Sequence, residues 1–236
     1  MTGAAAELAA AAALAWAAAG LAPLVDPAAS RIEPPWREVN LPQQTLPRTR
    51  YVPARIDGRA ALRVEVAGSY GNLVQDLAPP QPLRRLRWSW RLEQPNLQAD
   101  LSRKDGDDGP LRVCVSFAMP IERVPFVERQ LLRLARARSG EPLPAATLCY
   151  VWDHLLPPGT LRPNVYTARV RLIVLRSADS ALAQWFDEDR DLAADFRRAF
   201  GAESAALPPV SALIVAGDGD NTGASSRAAV ADLVAE

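Results

Sequence analysis

Alternation of apolar and polar side chains along short segments limits what this chain can fold into more than any other feature. In RLRWSWRL (residues 85–92), Leu86, Trp88, Trp90 and Leu92 fall on one side and Arg85, Arg87, Ser89 and Arg91 on the other. Successive side chains of an extended strand point to opposite faces, so the segment predicts a strand with one face in a core. The same period of two runs through TRYVPARI, AALRVEVAG, GNLVQDL, LRVCVSF, ATLCYVW, VYTARVRLIVL and VSALIVAG. Asp-Gly, Gly-Ser, Pro-Pro, Gly-Asp-Asp-Gly and Pro-Pro-Gly separate these runs, as turns between strands require. Eight such strands without strand–helix alternation predict a mainly β chain. The expected architecture is an antiparallel, jelly-roll-like two-layer β-sandwich over residues 31–236.

Two segments break the alternation with a helical period. PFVERQLLRLARARSG predicts an amphipathic helix at 126–138 with Val127, Leu131, Leu134 and Arg138 on one stripe. SALAQWFDEDRDLAADFRRAFG predicts a second over 180–201, with Trp185, Leu192, Phe196 and Phe200 on one face, acids early and Arg197 and Arg198 late.

A length of 236 residues suits one domain of this class. The 27 basic and 27 acidic residues cancel, leaving no overall field for nucleic acid or an anionic membrane, so any anion recognition must be local. Residues 1–30 read as a signal peptide or an Ala-rich helix: Leu8 to Ala22 is almost all Ala and Leu, and AAS at 28–30 offers a cleavage point, though Glu7 and the absence of an early Lys or Arg run against it. Cys114 and Cys149 are the only cysteines. They predict either a bridge between adjacent strands in an oxidising compartment or two buried thiols.

Three constellations bear on chemistry. Arg87 and Arg91, with Arg63 and Arg112 placed by the same alternation, predict an Arg-studded sheet face: either a solvated face balanced by acids, or a shallow groove whose guanidinium forks take an acidic or hydroxyl-rich glycan. The acidic turns KDGDDG and GDGDN put Asp107, Asp108, Asp218, Asp220 and Asn221 beside strand ends. If the turns meet, Asp218 and Asp220 with their neighbours offer oxygen ligands to calcium, the one cofactor the sequence suggests; otherwise Asp and Gly there serve the turns. Neither turn is an EF-hand, and GDGDNTG lacks the spacing of a dinucleotide or P-loop phosphate cradle. His154, with Tyr150 or Tyr166 and Arg112, is the remaining acid/base set, of the kind a polysaccharide lyase needs to abstract a proton beside a carboxylate. No Gly-x-Ser-x-Gly is present, so the commonest serine hydrolase arrangement is excluded.

Taken in order, WSWRL, KDGDDGPLRVCVSF, LCYVW, WFDEDRDLAADFRRAFG and GDGDNTGASSRAAVADL resemble the bacterial domain-of-unknown-function family 3047 from about Trp36 to Leu233. The positions that carry the likeness are Trp88, Trp90, Arg91, Asp107, Asp108, Arg112, Tyr150, Trp152, Trp185, Arg190, Asp195, Phe200, Gly201, Asp218, Asp220, Asn221 and Thr222. The resemblance implies a small exported bacterial protein, periplasmic or secreted, on a sandwich similar to carbohydrate-binding jelly rolls, and it implies no reaction. The chain departs from the family at Cys114 and Cys149, at the 126–138 helix and at the final AAVADLVAE. The leading functional expectation is a non-catalytic module for a glycan or envelope component, using Arg87, Arg91, Arg112, Trp152 and the acidic turns. The alternatives are a polysaccharide lyase or hydrolase, and a subunit of an envelope assembly that docks a protein through the 126–138 helix.

Overall fold

Each of the eight alternating segments contributes a strand. The computed structural model describes residues 21–139 and 142–236. In chain order these form β1 (Arg37–Val39), β2 (Arg50–Ile56), β3 (Arg59–Ala67), β4 (Tyr70–Gln81), β5 (Arg85–Gln94) and β6 (Gly109–Phe117). Helix α1 (Phe126–Ser139) follows, then β7 (Ala146–Trp152), β8 (Leu161–Pro163), β9 (Val170–Arg176), β10 (Phe186–Asp191), α2 (Leu192–Phe200), β11 (Val210–Asp218) and β12 (Ser225–Ala235). One sheet has the order β1-β4-β11-β6-β7-β9-β8 and the other β10-β5-β12-β3-β2. Every pairing is antiparallel except β7 with β9. The result is a two-layer β-sandwich. The β2–β3 hairpin turns on Asp57 and Gly58, both at positive φ (50° and 80°), the conformation that Asp-Gly adopts when strand twist has to pass through a two-residue loop.

The inward faces meet in one apolar core. Trp88 and Trp90 pack edge to face with centroids 5.5 Å apart. Trp88 lies 5.1 Å from Tyr150 and Trp90 lies 5.8 Å from Trp152, so aromatic contacts cross between the sheets. Close approach near the end of β11 depends on Gly217, where a Cβ would come within 2.7 Å of Val64.

One expectation is corrected here. The helix predicted over 180–201 begins only at Leu192; Phe186–Asp191 is an edge strand paired with β5. Its alternation serves both surfaces: Glu188 accepts from Trp90 Nε1 (2.9 Å) and Arg176 (2.7 Å), while Asp189 faces outward to Arg85. Asp191 then caps α2 by accepting from the Ala194 amide (2.9 Å). The closing segment AAVADLVAE forms most of β12, which sits between β3 and β5.

Cys114 and Cys149 are directly opposed across β6 and β7 and form a disulfide. It lies on the outer side of the seven-stranded sheet, beneath Leu101 and beside Val151, Leu172 and Val174. Residues 1–20 of the expected leader lie outside the described residues. From Leu21 on, the chain is packed against the sandwich: Leu24 and Val25 are buried in the core, and Trp36 Nε1 donates to the Ala22 carbonyl at 2.9 Å.

Candidate functional site at the acidic pole

The start of β6, the ends of β5, β7, β9 and β11, and the turn into β12 share one pole of the sandwich. Here the two acidic turns meet. Asp108 accepts from the amides of Asn221 (3.1 Å) and Thr222 (2.8 Å), from Asn221 Nδ2 (3.0 Å) and from the Thr222 hydroxyl. Both of its oxygens are thereby committed to pinning one loop to the other. Tyr166 joins them, its hydroxyl 2.8 Å from the Lys104 carbonyl and 2.9 Å from Asn221 Oδ1.

Arg112 is buried behind these loops. Its Nη2 lies 3.2 Å from Asp218 and 3.3 Å from Asp107, and it donates to the Asp107 carbonyl at 3.1 Å. Burial opposes its charge, but Asp218 and Asp107 outweigh that and raise its pKa. Burial pushes the Asp218 carboxyl up to about 7; Arg112 acts against this, and Asp107, Asp108 and Asp220 act with it. Burial also raises the Asp220 pKa, with Asp108 adding to it.

The residues do not fit the calcium expected at Asp218 and Asp220. The Arg112 guanidinium stands as the cation among these carboxylates, and Asp108 is occupied by Asn221 and Thr222. Among the described residues, no group of three or more Asp, Glu, His or Cys is disposed to hold a metal ion.

The expected acid/base set also falls apart. Tyr150 points into the core and donates to Asp195 Oδ2 (2.9 Å), a carboxylate that Arg190 grips with two bonds (2.9 and 2.8 Å). Burial first, then Asp195, raises the Tyr150 pKa well above its ordinary value. His154 follows β7 in a loop, without a hydrogen bond to Tyr150, Tyr166 or Arg112 among the described residues.

The single Arg-studded face divides between two sheets. Arg112 lies in the seven-stranded sheet, whereas Arg87 and Arg91 lie on the outside of the five-stranded one. There, acids from the edge strand, the hairpin turn and the last residues pair with the cations: Arg85 with Asp189, Arg87 with Glu236, Arg91 with Asp57. Arg85, Arg87 and Arg91 of this face are thus each paired with an acid.

Beside the acidic loops opens a cavity of about 270 Å³. Trp152, Leu92, Pro95, Leu97, Ala99, Pro110 and Leu182 form its apolar wall, and Asn96, Asp108, Asp153, His154, Ser177 and Ser180 bring polar groups to it. Asp153 Oδ1 accepts from the Leu155 amide (2.8 Å), which fixes the turn that carries His154. Asn96 donates to the Thr222 hydroxyl (3.0 Å) and accepts from the Gln98 amide (3.0 Å), linking the wall to the pinned loops. Asn96, Asp153, Ser177 and Ser180 were not singled out from the sequence. They sit in irregular segments, where no period marks a residue that shares a wall.

A family model described as "Protein of unknown function (DUF3047)" matches residues 34–234. No curated protein matches the chain. Among solved structures, the xyloglucanase domain of NopAA, a type three effector from Sinorhizobium fredii, in complex with cellobiose, is similar over 86% of this chain and 98% of its own, at 5% identity and a TM-score of 0.39.

Proposed function

This chain belongs to the DUF3047 family, and we propose that it is a non-catalytic binding module that takes an uncharged, hydroxyl-rich sugar, as a single residue or a chain end, into the polar-rimmed cavity. The observation that carries this reading is the cavity wall, in which Trp152 and short aliphatic side chains stand beside Asn96, Asp153, His154 and two serines. A sugar presents C–H faces and hydroxyls together, and such a wall meets both. The carboxylates of Asp108 and Asp153 disfavour an acidic sugar, and Arg85, Arg87 and Arg91 of the five-stranded sheet are already paired with acids.

Binding is favoured over catalysis because Asp108 is committed to the Asn221–Thr222 loop and Asp153 Oδ1 to its own turn. The Cys114–Cys149 bond suits an oxidising compartment and supports placing the protein in the periplasm or outside the cell.

The test is a panel of neutral and acidic oligosaccharides titrated against the protein while tryptophan fluorescence is followed. A neutral sugar is expected to give a saturable change, weakened in Asn96→Ala and in His154→Ala. If no sugar binds, or if both variants bind as the wild type does, this assignment fails.

A further inference from the structure

Helix α1 turns its apolar side away from the protein. Leu132 is its one buried residue, while Phe126, Val127, Leu131 and Leu134 are 67%, 68%, 61% and 48% exposed. Val127, Leu131 and Leu134 lie within roughly 60° of one another around the helix axis, with Phe126 roughly 80° beyond Leu134. The helix carries Arg129, Arg133, Arg136 and Arg138 against a single acid, Glu128. Glu128 faces inward and ion-pairs with the buried Arg169. What α1 offers outward is therefore an apolar stripe with two exposed cations, Arg138 in line with it and Arg133 to one side, while Arg129 and Arg136 are half-buried and donate to the Glu122 and Leu143 carbonyls.

We infer that α1 lies on an anionic bilayer surface, with Val127, Leu131 and Leu134 at the acyl boundary and Arg133 and Arg138 among the head groups. A protein groove would fill the stripe equally well. The lipid surface is favoured because both exposed charges of the helix, Arg133 and Arg138, are positive and the one acid is paired with Arg169, a balance that suits a helix lying on an anionic membrane interface. Fourteen residues are too few to span a bilayer, and among the described residues no helix is long and apolar enough to cross one. The placement is also consistent. β6 runs from the cavity pole to its other end at Phe117, and β7 returns from Ala146, so α1, between them in sequence, sits at the pole opposite the cavity. A protein resting on α1 would hold its cavity away from the membrane. The inference does not depend on the cavity's ligand.

The test is co-sedimentation of the full chain with vesicles of phosphatidylglycerol and phosphatidylcholine in equal amounts, and with phosphatidylcholine alone. Binding to the anionic vesicles is expected, reduced by added salt. Arg133→Gln with Arg138→Gln should lower the partition coefficient roughly 25-fold, about fivefold for each basic side chain near such a surface. Leu131→Ser with Leu134→Ser should lower it by more than about tenfold. All four side chains are exposed, so an unchanged urea midpoint will show that the fold persists. Three results would overturn the inference: no binding to anionic vesicles, equal binding to neutral ones, or binding that both double variants retain. Light scattering adds a fourth: a wild-type dimer that Leu131→Ser with Leu134→Ser converts to monomer would make the stripe a subunit interface.

Discussion

Asp218 makes the stability of this protein depend on pH in a direction opposite to that of most paired carboxylates. Buried beside Arg112 and close to three other acids, its carboxyl holds a proton up to about pH 7, whereas an unperturbed Asp releases it near 3.8. Between those values the folded chain binds more protons than the unfolded one, so stability falls as pH rises through the window. Going from about pH 5 to about pH 8, a single site with this displacement costs about 3 kcal/mol. Asp220, also raised, acts in the same direction. The surface acids Asp26, Asp100, Asp105 and Asp189 have lowered pKa values and finish ionising below this range. Urea unfolding at several pH values, followed by tryptophan fluorescence, should therefore give a midpoint that declines toward alkaline pH. Asp218→Asn keeps an oxygen available to Arg112 and removes the titrating proton, so its midpoint should be nearly flat. A flat wild-type profile, or an unaltered slope in Asp218→Asn, would refute the assignment of the buried proton to Asp218.

Replacing Cys114 and Cys149 together by Ala should reduce unfolding free energy by about 4 kcal/mol, the loop-closure value for a bond that spans 35 residues; denaturant titration measures it. Asp108→Ala strands the Asn221 and Thr222 amides. It should cost about 3 kcal/mol and, by freeing the wall that Asn96 shares with Thr222, abolish the fluorescence response to sugar. Because Arg112 already serves as the cation among the acidic residues, calcium and chelator should give the same thermal midpoint in a melting experiment.

The legible parts of the fold are those where one physical demand dominates. Strands with one face in the core, such as β5 and β6, must alternate or leave polar groups in apolar surroundings, and the alternation was plain in the sequence. FDEDRD resembles the start of a helix because an edge strand with few core contacts has only a weak apolar rhythm, and its acids also suit a helix N-terminus. Its partners Arg85, Trp90 and Arg176 lie up to about a hundred residues away in the chain. The last strand was obscure for a different reason: Ala228, Ala229 and Ala231 have low strand preference, and small side chains are what a strand between β3 and β5 can hold.

The candidate site was legible as residue types and illegible as a place. Composition alone identified Asp107, Asp108, Asp218, Asp220 and Asn221 as an unusual concentration of oxygen ligands. It could not say that Arg112 would lie among them, because alternation tells which side of a strand a residue faces and not which sheet that strand joins. For the same reason Arg87, Arg91 and Arg112 were grouped on one face, although strand order separates them. The sequence by itself determined the eight alternating strands, the apolar side of each and the two turns rich in acid, since these follow from short-range geometry. Only the tertiary structure decided what those turns face, which arginines are already paired, that Cys114 opposes Cys149, and that a cavity opens beside Trp152. Each of these depends on contacts between distant segments, whose energies no local pattern records.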